Sequence, residues 1–76
     1  MSWEAIEINH RKTYQRDFVF CERHTEKEFL AESILQAFPV LDRQKVEKVI
    51  NECCSKLTPP RSRPEFIDYL KKELNV

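Results

Sequence analysis

The chain has 76 residues, and its 13 basic and 13 acidic side chains give a formal net charge of zero. A chain of this length forms one domain, residues 1–76, with little room for a cleft that encloses a small-molecule substrate. Charges of both signs alternate along the chain, which disfavours a phosphate-binding face for nucleic acid. The sequence has no glycine, so phosphate-cradling loops, dinucleotide-binding turns and nucleophile elbows are excluded in their standard forms. We therefore expect no enzyme, no cofactor and no small-molecule substrate.

The first 24 residues allow two interpretations. One face of a helix could carry the side chains of Trp3, Ile6, His10, Tyr14 and Phe18. However, residues 13–21 are rich in aromatic and β-branched side chains, which favours extended structure. We therefore favour a β-hairpin that pairs residues 3–8 with residues 13–21, and a fourth helix is the alternative.

The next segment predicts a helix over residues 25–38. Thr25 and Glu28 have the spacing of a capping box, in which each side chain satisfies a backbone N–H at the helix start. Leu30, Ile34 and Ala37 recur at helical spacing and form an apolar stripe. Proline at position 39 disfavours helical geometry at the residue before it, so the helix should end near Ala37.

A second helix is predicted over residues 43–57, with Asp42 as its N-cap. Its apolar stripe consists of Val46, Val49, Ile50, Cys53 and Leu57. Two consecutive prolines, Pro59 and Pro60, end the helix because neither can donate to the helical ladder.

The last predicted helix covers residues 63–74. Ser62 and Glu65 repeat the capping-box spacing, and Pro64 lies in the first turn, where its missing N–H costs least. The fold class is therefore mainly α: a small domain of three helices, with an N-terminal segment packed across them as a hairpin or as a fourth helix.

The cysteines and one histidine suggest a zinc site as a weak alternative. The candidate ligands are Cys21, His24, Cys53 and Cys54. Adjacent helical cysteines point about 100° apart, so two of these ligands would not readily bind one ion together. We therefore expect Cys53 in the core and no metal. The odd number of cysteines disfavours a closed disulfide framework, although one bridge with one free thiol stays open.

Location and membrane association follow from what the chain lacks. Glu4 and Glu7 interrupt any apolar leader, and no apolar stretch of membrane-spanning length occurs. We expect a cytoplasmic protein that does not associate with membranes, with its thiols in a reducing compartment.

Two clusters of basic residues could bind anions or nucleic acid. Arg61, Ser62 and Arg63 precede the last predicted helix, where free N–H groups and the helix dipole attract anions. The second cluster combines His10, Arg11, Lys12 and Arg16 with the ring of Tyr14. Nearby carboxylates dilute the positive charge of the second cluster, so we disfavour nucleic acid as a partner.

Large apolar side chains are numerous for so small a body, so some of them should remain exposed. We predict that Trp3, Tyr14, Phe18 and Tyr69 contribute to a surface that binds a protein partner or a second copy of the chain. The predicted function is a non-enzymatic interaction module or small regulatory protein. The alternatives are a nucleic-acid-associated regulator, with the helices at 43–57 and 63–74 as a compact helix-turn-helix, and a small zinc-stabilised domain.

Overall fold

The structure is a computed structural model that describes residues 3–76. Its four helices are α1 (Trp3–Tyr14), α2 (His24–Ala37), α3 (Arg43–Lys56) and α4 (Arg63–Leu74). Helix α1 packs against α2 and α4, and helix α3 packs against the same two helices from the other side. The prediction of a small, mainly helical domain is confirmed, with four helices instead of three. None of these helices is long and apolar enough to cross a membrane.

The N-terminal segment forms helix α1, so the favoured β-hairpin is wrong and the helical alternative is correct for residues 3–14. Trp3, Ile6 and His10 are buried at helical spacing, and this stripe docks α1 onto the other helices. The helix ends at Tyr14 because Gln15 adopts a left-handed backbone with φ of 53°. Gln15 still donates its N–H to the carbonyl oxygen of Arg11 at 2.8 Å, which closes the last turn.

Residues 15–23 connect α1 to α2 and contain the aromatic run that suggested a strand. Phe18 forms an isolated antiparallel bridge with Ser62, and we find no strand elsewhere in residues 3–76. The tendency towards extended structure is therefore real but local. It belongs to a connection between two helices and not to a hairpin.

The core is continuous through the four helices. Its most deeply buried apolar side chains are Val19, Leu30, Ala31, Ile34, Val46, Cys53, Phe66 and Leu70. Val19 is the contribution of the connection between α1 and α2, and the others come from helical stripes. The predicted placement of Cys53 in the core is confirmed.

The predicted capping residues are close to the helix starts, but none of them caps. Helix α2 begins at His24 with Arg23 as its N-cap, so the predicted capping box of Thr25 and Glu28 does not form. Asp42 and Ser62 occupy the N-cap positions of α3 and α4 as predicted, yet neither side chain makes a capping hydrogen bond. The capping-residue spacing therefore predicted where the helices start to within a residue or two, but it did not predict the hydrogen bonds at those starts.

Candidate functional site

The connection between α1 and α2, residues 15–23, is called the aromatic loop below. Val19 donates its N–H to the carbonyl oxygen of Arg61, and Arg63 donates its N–H to that of Asp17, both at 2.8 Å. The side chain of Val19 is 1% exposed. Because successive side chains of extended backbone point to opposite sides, Phe18 and Phe20 face away from the core. Their side chains are 38% and 39% exposed.

Arg16 holds the ring of Phe20 in place. The guanidinium carbon of Arg16 lies 4.2 Å from the centre of the Phe20 ring and 5.1 Å from that of Tyr14. Both distances fall within the range of cation–π attraction. The backbone N–H of Phe20 also donates to Glu26 Oε2 at 3.3 Å. The exposed ring is therefore fixed through its face and through its backbone.

A buried network of charged groups lies beneath the loop. Glu26 is fully buried and accepts hydrogen bonds from His10 Nε2 at 2.8 Å and from the guanidinium of Arg16. Arg63 donates from Nε to His10 Nδ1 at 3.0 Å. His10 therefore donates at one nitrogen and accepts at the other, as a neutral imidazole does. Burial lowers the pKa of His10, although its hydrogen bond to Glu26 opposes that shift.

Arg63 and Arg61 connect this network and the loop to the helices. The buried guanidinium of Arg63 donates to the carbonyl oxygen of Arg16 and lies 3.8 Å from Asp17 Oδ1. Arg61 donates to the carbonyl oxygens of Leu57 and Cys54, each at 3.0 Å. Both arginines thus bind acceptors of this chain.

These contacts bear on the predicted anion-binding group of Arg61, Ser62 and Arg63. Arg61 has a further acceptor in Glu22 Oε1 at 3.5 Å. Ser62 is half-buried at the N-cap of α4 and pairs with Phe18. An anion at this helix end would have to displace carbonyl and carboxylate oxygens that the two arginines already contact.

The cysteines form one bridge and leave one buried thiol. Cys21 of the aromatic loop is bonded to Cys54 of α3, with 5.9 Å between their Cα atoms. Cys53 is a free, buried thiol, and desolvation raises its pKa to about 12. His24 is exposed and pairs with Glu28 at 2.9 Å.

The candidate zinc-ligand set of Cys21, His24, Cys53 and Cys54 does not assemble in this structure, because two of its three sulfurs are bonded to each other. Among residues 3–76, no group of three or more side chains is placed to hold a metal ion.

The four predicted surface residues lie in different environments. Trp3 is 7% exposed, so its assignment to the exposed surface is wrong. Tyr14 is half-buried and contacts Arg16 and the ring of Phe29. Phe18 is exposed on the aromatic loop, whereas Tyr69 is half-buried against the core from α4. Tyr14 thus directly precedes the aromatic loop and Phe18 lies on it, whereas Trp3 and Tyr69 lie on α1 and α4 outside the loop.

Sequence reasoning missed Phe20 as a part of the exposed surface of the aromatic loop, and it grouped Arg16 with Tyr14 only as a candidate cluster for anions or nucleic acid. The signal that could have identified Phe20 is the alternation Phe18-Val19-Phe20, in which the middle residue is buried and its neighbours are exposed. Arg16 and Tyr14 are separated by one residue of left-handed backbone. No local pattern indicates that the guanidinium of Arg16 contacts both rings.

Two hollows lie along α3, outside the aromatic loop. An open groove of about 280 Å³ lies between α2 and α3 and is lined by Ala31 and Ile50 together with polar side chains that include Lys27, Glu47 and Asn51. A more open hollow along α3 is lined entirely by polar residues, including Gln44. Both hollows are open, whereas small-molecule sites typically enclose their ligand in a mainly apolar cleft.

Comparison of the chain with models of protein families, with curated proteins and with solved structures finds no match. The geometry of the aromatic loop is therefore the basis for a functional proposal.

Proposed function

We propose that this chain is a non-enzymatic protein-binding module and that the aromatic loop is its binding surface. The observation that carries the proposal is the placement of Phe18 and Phe20. Both rings are more than one-third exposed while the backbone between them is anchored by the buried side chain of Val19. Exposed aromatic side chains on a fixed backbone are typical anchors of protein interfaces.

Rigidity of the loop favours binding. The loop is held by two backbone hydrogen bonds to residues 61 and 63, by the contacts of Arg16 and by a disulfide bond. A surface that is ordered before binding loses less conformational entropy when the complex forms. The contacts that hold this loop thus favour binding although they do not themselves touch the partner.

The partner that fits this surface is another protein with an apolar groove for the two phenylalanine rings. A second copy of the chain fits less well, because most of the residues that line the two hollows described above are polar. Two half-exposed rings are also a small patch compared with the roughly 800 Å² that each subunit buries in a standard interface. We therefore favour a different protein over a second copy of this chain as the partner.

Nucleic acid is disfavoured by the charges beside the loop. Arg16 pairs with Glu26, and Arg61 lies 3.5 Å from Glu22. Arg63 is buried, with Asp17 at 3.8 Å. Cations that are already paired with carboxylates contribute little to phosphate neutralisation. The helix-turn-helix alternative weakens further, because Arg63 at the start of α4 points into the protein and not towards a groove.

Site-specific photocrosslinking followed by titration tests the proposal. A benzophenone amino acid replaces Phe20 in one protein and Val40 in the control, because Val40 is 86% exposed and lies outside the loop. The crosslinked partner is then purified and titrated with the wild type, the F18A/F20A double variant and V40A. We expect at least about tenfold weaker binding for F18A/F20A and no more than about a twofold change for V40A.

Three outcomes would overturn the proposal. Equal affinity of the wild type and F18A/F20A would show that the aromatic loop is not the binding surface. Crosslinks between two copies of this chain alone would favour the homo-oligomer. Binding that disappears steeply with salt and requires RNA or DNA would favour the nucleic-acid alternative.

A further inference from the structure

The disulfide bond lies near the C-terminal end of the aromatic loop. Cys21 directly follows Phe20 in the chain, and its partner Cys54 lies in the last helical turn of α3. Both cysteines are half-buried, whereas Cys53 beside them is fully buried. The bond thus ties the residue after Phe20 to the helical core at the edge of that core.

Besides the bridge, this end of the loop is held by the Arg16 guanidinium over the Phe20 ring and by three polar contacts. Glu22 reaches Arg61 at 3.5 Å, but its side chain is 70% exposed, and such surface ion pairs contribute little. The N–H of Phe20 contacts Glu26 at 3.3 Å, and Arg23 donates its N–H to the carbonyl oxygen of Phe20 at 3.1 Å. The other end, around Val19, has a buried side chain and backbone pairing. Opening the bridge should therefore loosen residues 20–22 more than residues 17–19.

The third cysteine does not compete for the bridge. Cys53 is buried and contacts the carbonyl oxygen of Phe66 through its sulfur at 4.0 Å. Neighbouring helical residues point in different directions, so Cys53 faces the core while Cys54 faces the loop. Opening and closing of the bridge should therefore restore the same pairing of Cys21 with Cys54.

We propose that the Cys21–Cys54 disulfide is a reversible redox clamp on the aromatic loop, which binds its partner tightly when the clamp is closed and weakly when it is open. The inference rests on the proposed function of the loop and specifies how that surface is regulated. A closed clamp fixes Phe20 before binding, whereas an open clamp requires the partner to order residues 20–22.

The chemistry requires two equivalents of a thiol. The thiolate of the first attacks one sulfur of the bridge, the S–S bond breaks, and the other cysteine leaves as a thiolate and takes up a proton. The thiolate of the second equivalent then attacks the reductant's sulfur in the resulting mixed disulfide. The second protein cysteine leaves as a thiolate and takes up a proton, and the two reductant molecules are released as one disulfide. Two electrons pass from the thiols to the bridge, and a small-molecule disulfide reverses both steps.

The clamp links binding to the redox state of the surroundings. The cytoplasm predicted from the sequence keeps thiols reduced, so the clamp would be open there and would close under oxidation. In an oxidising compartment it would stay closed.

Backbone order parameters from ¹⁵N NMR relaxation test the clamp without a partner. The samples are the oxidised wild type, the wild type in dithiothreitol and the C21S/C54S double variant with and without dithiothreitol. In the oxidised protein we expect order parameters of about 0.85 at Phe20 and Glu22, and in the reduced protein values below about 0.6. Leu30 and Ile50 in the core should not change, and the double variant should resemble the reduced wild type and ignore the reductant.

The same samples are then titrated with the partner identified above, and the reduced protein should bind at least about fivefold more weakly. Unchanged order parameters on reduction would overturn the clamp while leaving the aromatic loop as a binding surface. Loss of spectral dispersion throughout the chain would also overturn it, because the bridge would then support the whole fold. Equal affinity in both redox states would refute the regulatory role, whereas failure of F18A/F20A to weaken binding refutes the proposed function itself.

Discussion

At the scale of single residues, the most consequential side chain is Glu26. It is a fully buried carboxylate that accepts hydrogen bonds from α1 through His10 and from the aromatic loop through Arg16 and the N–H of Phe20. A buried charge is tolerated only when such partners replace its hydration. Glu26 therefore couples the docking of α1 to the position of the loop.

We expect E26Q to destabilise the protein by about 3 kcal/mol. The neutral amide removes the buried charge and points an N–H group at donors from which the carboxylate accepts hydrogen bonds. Urea denaturation monitored by circular dichroism gives the free energy of unfolding. The matched control is E28Q on the same helix, where the side chain is 60% exposed and pairs with His24. The control should change stability by no more than about 0.5 kcal/mol. Equal losses in both variants would mean that the network beneath the loop contributes nothing specific.

At the scale of helices, the absence of glycine leaves two helix ends to other residues. Gln15 after α1 and Asn75 after α4 have positive φ angles of 53° and 57°. A side chain with Cβ is disfavoured in this left-handed conformation, although asparagine tolerates it better than most. Gln15 therefore stores a small amount of backbone strain at the start of the aromatic loop.

Replacing Gln15 with glycine should stabilise the protein by about 0.5–1 kcal/mol, because glycine adopts this conformation without a steric penalty. The equivalent change N75G should give a smaller gain and serves as the control. Thermal unfolding of the three proteins under identical conditions measures both effects. A lower melting temperature for Q15G would show that the flexibility glycine adds to the unfolded chain outweighs the relief at this position.

Helices α2, α3 and α4 were predictable because their apolar stripes and prolines are local signals. Pro39 follows the end of α2, and Pro59 and Pro60 separate α3 from α4. Helix α1 was only the second choice for the N-terminal segment, because the β-branched and aromatic run that follows it favoured extended structure. The capping box of Thr25 and Glu28 failed because α2 starts earlier, at His24.

The site was less predictable than the helices because its contacts join distant parts of the chain. His10 meets Glu26 across 16 residues and Arg63 across 53 residues. Each of these side chains alone is typical of a solvated helix, and nothing in their spacing indicates a common buried network. Phe18 was predicted to be exposed because the body is too small to bury every aromatic ring, and this argument does not depend on contacts.

At the scale of the whole molecule, the core is one continuous cluster, so access to its centre requires cooperative opening. Cys53 lies at that centre with no exposed surface. Its thiol is protonated at ordinary pH because burial raises its pKa to about 12. The modification rate of this thiol should therefore report unfolding of the entire domain.

We predict that iodoacetamide at pH 8 labels the oxidised native protein slowly and that the rate rises in parallel with urea unfolding. Mass spectrometry should find one label after unfolding and three after unfolding with reduction, since the chain has three cysteines. The variant C53A should take no label without reductant. Rapid labelling of the native protein would contradict the buried position of Cys53. More than one label in the absence of reductant would contradict the disulfide pairing.

The position of Trp3 has an optical consequence. It is the single tryptophan of the chain, its ring centre lies 5.3 Å from that of Phe38, and its Nε1 donates to the carbonyl oxygen of Val76 at 2.9 Å. Fluorescence emission from this indole therefore comes from one place, where α1 meets the end of α2 and the residues after α4. Detachment of α1 would expose the ring to water and shift the emission to longer wavelength, so the chain carries its own reporter for the docking of its first helix.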